Sequence, residues 1–216
     1  MIGRLVAVLT LLAAAPASAD EALDELAPAR AAFEDRDYAG ALELALPLAE
    51  SGDARAQALI GVMHRTGTLG VVDRAEAVRW LARAADQGEA AAQFNLGLMY
   101  FERQAAPPEG ARTLEELQGA AAAKFRAAAE QGHAEAQLYL GYMVAEGLGV
   151  DPDPVEGYKW YQLAAWQRGD LAAAALDRLG ATLSAVQLED ARAEASGFRA
   201  KLAETPEVDP TDVEGP

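Results

Sequence analysis

The string AADQGEAAAQFNLG, Ala84 to Gly97, returns as AAEQGHAEAQLYLG at Ala128 to Gly141, and a fainter copy, LAESGDARAQALIG, runs from Leu48 to Gly61. Aligned on their glycines, the copies place Gly52, Gly88 and Gly132 at intervals of 36 and 44 residues, with a weaker fourth copy at Gly169, 37 residues further on. A catalytic motif normally occurs once. A string that recurs at a period of roughly 20–50 residues marks one supersecondary unit stacked on its copies. Between the breakers the segments are rich in Ala, Leu, Glu, Arg and Gln, all good helix formers. They lack the strict alternation of strands. The expected unit is a helical hairpin.

The positions within the unit have separable roles. Gly52, Gly88 and Gly132 end the first helix of each pair, where a left-handed residue costs glycine little. Gly61, Gly97 and Gly141 fall inside the second helix, where glycine costs about 1 kcal/mol relative to alanine. A recurring cost predicts a recurring benefit, the close approach of a neighbouring helix. Ala85, Ala92, Ala129 and Ala136 are expected at the hairpin contact. Gly67 and Gly70, then Gly147 and Gly149, end second helices. Asp73 with Glu76, Thr113 with Glu116, and Asp153 with Pro154 and Glu156 fit helix starts. Trp80, Trp160, Met63, Met99 and Met143 are expected to fill the layers.

These residues carry a family resemblance. The pattern LG-x₄₋₅-G-x-GV-x₂-D-x₃-A-x₂-W-x₃-AA-x-QG-x-A-x-AQ-x₂-LG, over roughly residues 38–180, resembles the Sel1-like repeat, a relative of the tetratricopeptide repeat. The resemblance implies an all-α fold, a right-handed α-solenoid of antiparallel helical hairpins. It also implies a protein that binds other proteins. The second pair departs from the pattern: RQAAPPEGART, Arg103 to Thr113, replaces the G-x-G-V turn. The fourth unit has one extra residue before Gly169 and no AQ-x₂-LG after it. The ends read as caps: a tetratricopeptide-type opening hairpin over Ala29–Leu48 with Asp37 starting its second helix, and an amphipathic closing helix from Ser184 to Leu202.

The termini suggest location. MIGRLVAVLTLLAAAPASAD has one basic residue, an apolar run from Leu5 to Ala15, and Ala17-Ser18-Ala19 at a cleavage position. This is the layout of a secretory signal. It is shorter than the ~20 residues that cross a bilayer. The expected organisation is a signal peptide over 1–19, a repeat domain over 20–203, and a disordered acidic tail over 204–216. The expected place is a bacterial periplasm, with an ER lumen as the alternative, and the chain is expected to be monomeric with no membrane span. The net charge of −16 disfavours nucleic acid and anionic lipid and is better explained by a cationic partner or by solubility alone.

A search for chemistry yields little. There is no cysteine. His64 and His133 take different repeat positions and do not form a ligand pair. Ser51, Ser184 and Ser196 stand outside any G-x-S-x-G context. Asp151 and Asp153 lack the glycine and closing glutamate of a calcium loop. The G-x-G strings follow helices, not strands, so no phosphate loop is expected. No catalytic, metal or cofactor site is therefore expected, and the reading is a protein- or peptide-binding scaffold. The alternative is a peptidoglycan- or envelope-recognition protein, or an enzyme of the β-lactam-binding type that cysteine-rich relatives suggest. Binding residues are expected where the frame varies, as at Leu59/Asn95/Tyr139, Val62/Leu98/Tyr142 and Arg65/Phe101/Ala145. The candidates are Phe101, Arg103, Tyr142, Tyr161 and Trp166, with the insertion 103–113.

Overall fold

The structure, a computed structural model, describes residues 24–107, 110 and 113–204. The leader expected over 1–19, the tail beyond Glu204 and part of the 103–113 insertion lie outside the described residues. Among the described residues there are ten helices and no strand. The chain divides into two compact units, Met1–Ala128 and Ala129–Pro216, and the division falls in the last turn of the sixth helix.

The first unit holds α1 (Ala27–Glu34), α2 (Tyr38–Ser51), α3 (Ala54–Thr66), α4 (Arg74–Asp86), α5 (Ala90–Phe101) and most of α6 (Leu114–Glu130). From α1 to α5 each helix packs on the next, and α3 also touches α5. The starts are fixed by side-chain caps. Asp37 accepts from the Gly40 amide at 3.0 Å, Asp53 from Ala56 at 2.8 Å, Asp73 from Glu76 at 3.0 Å and Glu89 from Ala91 at 3.3 Å. Thr113 and Glu116 bond each other's backbone amides ahead of α6, the reciprocal box its sequence predicts. Each such cap is worth about 0.5–2 kcal/mol. The opening hairpin contributes Leu26, Phe33 and a line of alanines, Ala41, Ala45 and Ala49, to a core shared with Leu59, Ile60, Met63 and Trp80.

The second unit holds α7 (Ala134–Glu146), α8 (Pro154–Gln167), α9 (Gly169–Gly180) and α10 (Ala185–Glu204). α8 packs against α7, α9 and α10. Asp153 caps α8 by accepting from Val155 and Glu156, with Pro154 at the first helical position. Ser184 and Gln187 cap α10 by the same exchange of bonds. Along α10 the inward stripe is narrow. Ala191 and Ala195 are buried, and the Phe198 ring meets Trp160 edge-on at 5.3 Å between centroids.

The expected helix ends are found at Gly52, Gly88 and Gly132, all at left-handed φ. Gly169 differs. It is the first residue of α9 and does not take a left-handed φ, and Arg168 holds the place that Gly88 and Gly132 hold after their glutamines. The extra residue before Gly169 has moved the glycine out of its role. Both units are thus built of antiparallel helical hairpins, the α-solenoid class.

Candidate partner-binding site

The repeated polar residues turn out to be internal ties. Gln57, Gln93 and Gln137, the glutamines of the AQ pairs, are buried. Their side-chain amides donate to the carbonyls of Ala49, Ala85 and Ala129, each eight residues back, at 2.9, 3.4 and 3.2 Å. That adds a second donor to a carbonyl at the end of the preceding helix, which also accepts from the Gly52, Gly88 or Gly132 amide. The glutamine that begins the QG pair, or its counterpart, then ties the next hairpin in. Gln87 donates to the Gln57 side-chain carbonyl at 2.8 Å, and Gln167 to that of Gln137 at 3.1 Å. Both links span 30 residues. Sequence reasoning gave these glutamines no role, although their recurrence was the signal.

The helix-interior glycines face one equivalent row. A Cβ on Gly61 would lie 2.7 Å from Leu81 Cγ, one on Gly97 2.9 Å from the Phe125 ring, and one on Gly141 2.9 Å from the Tyr161 ring. Leu81, Phe125 and Tyr161 stand at matching places in successive copies, one residue after Trp80, Lys124 and Trp160. The close approach inferred from the glycines is therefore real, and Tyr161 is one of the residues that uses it.

The structure scatters the five candidate residues. Phe101 is half-buried, its ring edge-on to Phe125 at 6.3 Å. Arg103 is exposed with φ +58°, the left-handed residue that ends α5 where Gly67 and Gly147 end α3 and α7. Trp166 is 38 % exposed, with the Arg199 guanidinium 5.1 Å from its ring centroid. Tyr142 is half-buried and Tyr161 buried. Tyr142 lies near enough to Tyr161 to act on its phenol electrostatically, and Tyr161 lines a hollow. Among the inter-copy variable positions, Leu59, Asn95, Val62 and Leu98 are buried, which makes them packing residues.

The hollow has a volume of about 220 Å³ and is lined by Ala145 and Glu146 of α7, Tyr161 of α8, Arg178 and Leu179 of α9, and Thr182. Glu146 and Arg178 face each other across its rim at 3.4 Å. Burial pushes the Tyr161 phenol up to about 12, helped by the negative charge of Glu146 and by Tyr142, while Arg178 within bonding reach opposes the rise. At neutral pH the phenol is therefore a hydrogen-bond donor and not a base. The site offers an apolar floor, one aromatic edge and a paired charge, which suits recognition of a side chain.

His133 has a different task. It caps α7, its Nδ1 accepting from the Ala136 amide at 3.2 Å, as Asp53 and Glu89 do for their helices. Burial lowers its pKa, assisted by Arg168 and opposed by Glu135 and by a backbone hydrogen bond. Glu135 is itself buried and paired with Arg168. Among the described residues no group of three His, Asp or Glu could hold a metal ion, and no helix is long and apolar enough to cross a membrane.

The model of the Sel1 repeat matches residues 54–89, 90–109 and 134–165. The solved structures similar to this chain include two repeat proteins. One is c5321, a protective antigen present in uropathogenic Escherichia coli strains and displaying an SLR fold. It is 32% identical with a TM-score of 0.66, and the match covers 77% of this chain and 34% of that one. The other is a Sel1 repeat protein from Oxalobacter formigenes, 32% identical with a TM-score of 0.58, covering 68% of this chain and 58% of that one. The chain thus spans about a third of the first of these proteins and somewhat over half of the second. No curated protein matches it. The glutamine ties, the glycine contacts and the repeat matches agree, and the chain belongs to the Sel1 repeat family.

Proposed function

We propose that this protein is a non-catalytic periplasmic scaffold or regulator that binds a peptide or protein segment on its helical surface. The observation that carries the proposal is the use of the repeated polar residues. Each recurring glutamine and capping acid bonds the chain's own backbone or a sister glutamine. The frame therefore spends its constant chemistry on stacking, which leaves recognition to the positions that vary. The resemblance to Sel1-like repeats, which commonly mediate protein–protein contacts, points the same way. The periplasmic part rests on the leader-like sequence of residues 1–19.

Two experiments test this. A photo-crosslinking residue placed in living cells at Phe101, at Trp166 and at the exposed Thr182 beside the hollow should give one dominant protein adduct from at least one of these places, identified by mass spectrometry. Adducts to glycan alone, or none above background, would sink the scaffold reading. Mass spectrometry of the protein from a periplasmic extract should give a chain that begins at Asp20. A full-length chain retained in the cytosol would remove the location.

A further inference from the structure

The two units contain equivalent corners, each built of a residue near the end of one helix and an aromatic ring on the next. In the first unit Phe101, the last residue of α5, lays its ring edge-on against Phe125. The matching pair in the second unit is Ala145 and Tyr161, because Phe101 and Ala145 each stand four residues after the interior glycine and Phe125 and Tyr161 each cover that glycine. Where the first unit supplies its own aromatic ring, the second has only a methyl group, and beside it lies the hollow of about 220 Å³. Its floor is Ala145, Leu179 and the Tyr161 ring, and its rim is Glu146, Arg178 and Thr182. Glu146 and Arg178 are both largely exposed, at 49% and 66% of the side chain, so their mutual bond costs little to open.

We propose that this hollow binds an aromatic side chain of a basic peptide segment from a partner protein, packed against Tyr161 as Phe101 packs against Phe125. The inference rests on the scaffold reading above and names its recognition chemistry. The ring size follows from the sister corner, where an edge-to-face pair of this kind occupies the matching place. The Tyr161 phenol and the Arg178 guanidinium donate to the carbonyls that flank the anchor, and Glu146 accepts from a neighbouring lysine or arginine. The basic character follows from the net charge of −16, which draws cationic segments to this chain and repels acidic ones. A single aromatic anchor in a small pocket with a polar rim is the usual form of a binding hot spot.

The test uses the full chain and a defined probe, the blocked tripeptide acetyl-Lys-Phe-Arg-amide, followed by backbone amide NMR. The expected result is saturable shifts at Ala145, Glu146, Leu179 and Thr182. The matched peptide with alanine in place of phenylalanine should bind at least tenfold more weakly. Ala145→Phe should abolish the shifts by supplying the ring that Phe101 supplies in the first unit. Ala145→Leu, a smaller filling, should weaken binding at least threefold and guards against a folding defect in the first variant. Equal binding of the phenylalanine and alanine peptides, or binding unchanged by both Ala145 variants, would overturn the proposal. So would the absence of saturable shifts. If the hollow fails in this way while a protein adduct forms at Phe101 or Trp166, the scaffold reading stands and its site lies elsewhere.

Discussion

Gly141→Ala sets two effects of known sign against each other. An alanine in the middle of α7 gains about 1 kcal/mol of helix propensity over glycine. Its methyl group, however, would lie 2.9 Å from the Tyr161 ring and 3.1 Å from the Gly157 carbonyl oxygen. The ring can turn, but the carbonyl belongs to the backbone of α8, so relief requires the two helices to part. Overpacking of this kind costs about 1–3 kcal/mol or more. The net expectation is a loss of about 1–2 kcal/mol. Gly197→Ala is the matched control. Gly197 is also helical, lies in the same unit, and has nothing within 4 Å of an added Cβ. There the propensity gain is unopposed, and stability should rise by about 0.5–1 kcal/mol. Urea unfolding followed by circular dichroism measures both. The two substitutions should shift the midpoint in opposite directions. Gly61→Ala should resemble Gly141→Ala, since it meets the Leu81 backbone nitrogen at 3.1 Å, while Gly97→Ala should cost less because only side chains stand in its way. If Gly141→Ala stabilises as much as Gly197→Ala, the interior glycines are not there for close packing.

Three further outcomes are expected. Arg103→Gly should stabilise the chain by about 1 kcal/mol, because a left-handed arginine costs about 1–2 kcal/mol that glycine does not; an unchanged thermal midpoint would count against a strained helix end. Gln137→Leu keeps the bulk but removes the bonds to the Ala129 carbonyl and from the Gln167 amide, which keep the Gly132 amide and the Gly132 carbonyl as partners, so a loss of about 0.5–1.5 kcal/mol is expected in urea unfolding, and a neutral result would show that the tie contributes nothing. His133 has a lowered pKa when folded, so its contribution is full above the unfolded value of about 6.5 and is lost as pH falls through the folded value. His133→Asp, which keeps a cap acceptor ionised at pH 5, should therefore reduce the stability lost between pH 7.5 and pH 5, by an amount within the ~0.5–2 kcal/mol of one cap; an identical pH slope in both proteins would refute the cap.

Much of this architecture was legible in the sequence because helix boundaries are local events. Asp37, Asp73, Asp153 and Ser184 announce helix starts through bonds made within three residues, and Gly52, Gly88 and Gly132 announce ends through a backbone conformation few other residues tolerate. What the sequence concealed was pairing across some 20 to 30 positions. Gln57 and Gln137 recur visibly, yet their partners Gln87 and Gln167 can be named only once the hairpins are stacked. Arg168 was missed because the alignment followed the glycine to Gly169 and so passed over the residue that replaced it. Tyr161 looked available for a partner because aromatic residues in a variable row suggest recognition. One side of its ring instead covers Gly141, and Tyr161 also lines the hollow.

On the proposed reading of the hollow, the contrast between Phe101 and Ala145 is a route by which a repeat acquires a site without any catalytic group. A repeat frame sets the helix contacts through glycine and glutamine, which leaves the next position outward free to vary in size. A large residue there closes the corner on itself, as Phe101 does over Phe125. A small residue leaves a hollow whose depth is fixed by the frame and whose rim is set by whatever follows, here Glu146 and Arg178. On this view specificity in such chains is written by subtraction. The substitution that opens a hollow matters more than the aromatic residues left exposed nearby, and Trp166, already stacked under Arg199, is the weaker place to look for a partner.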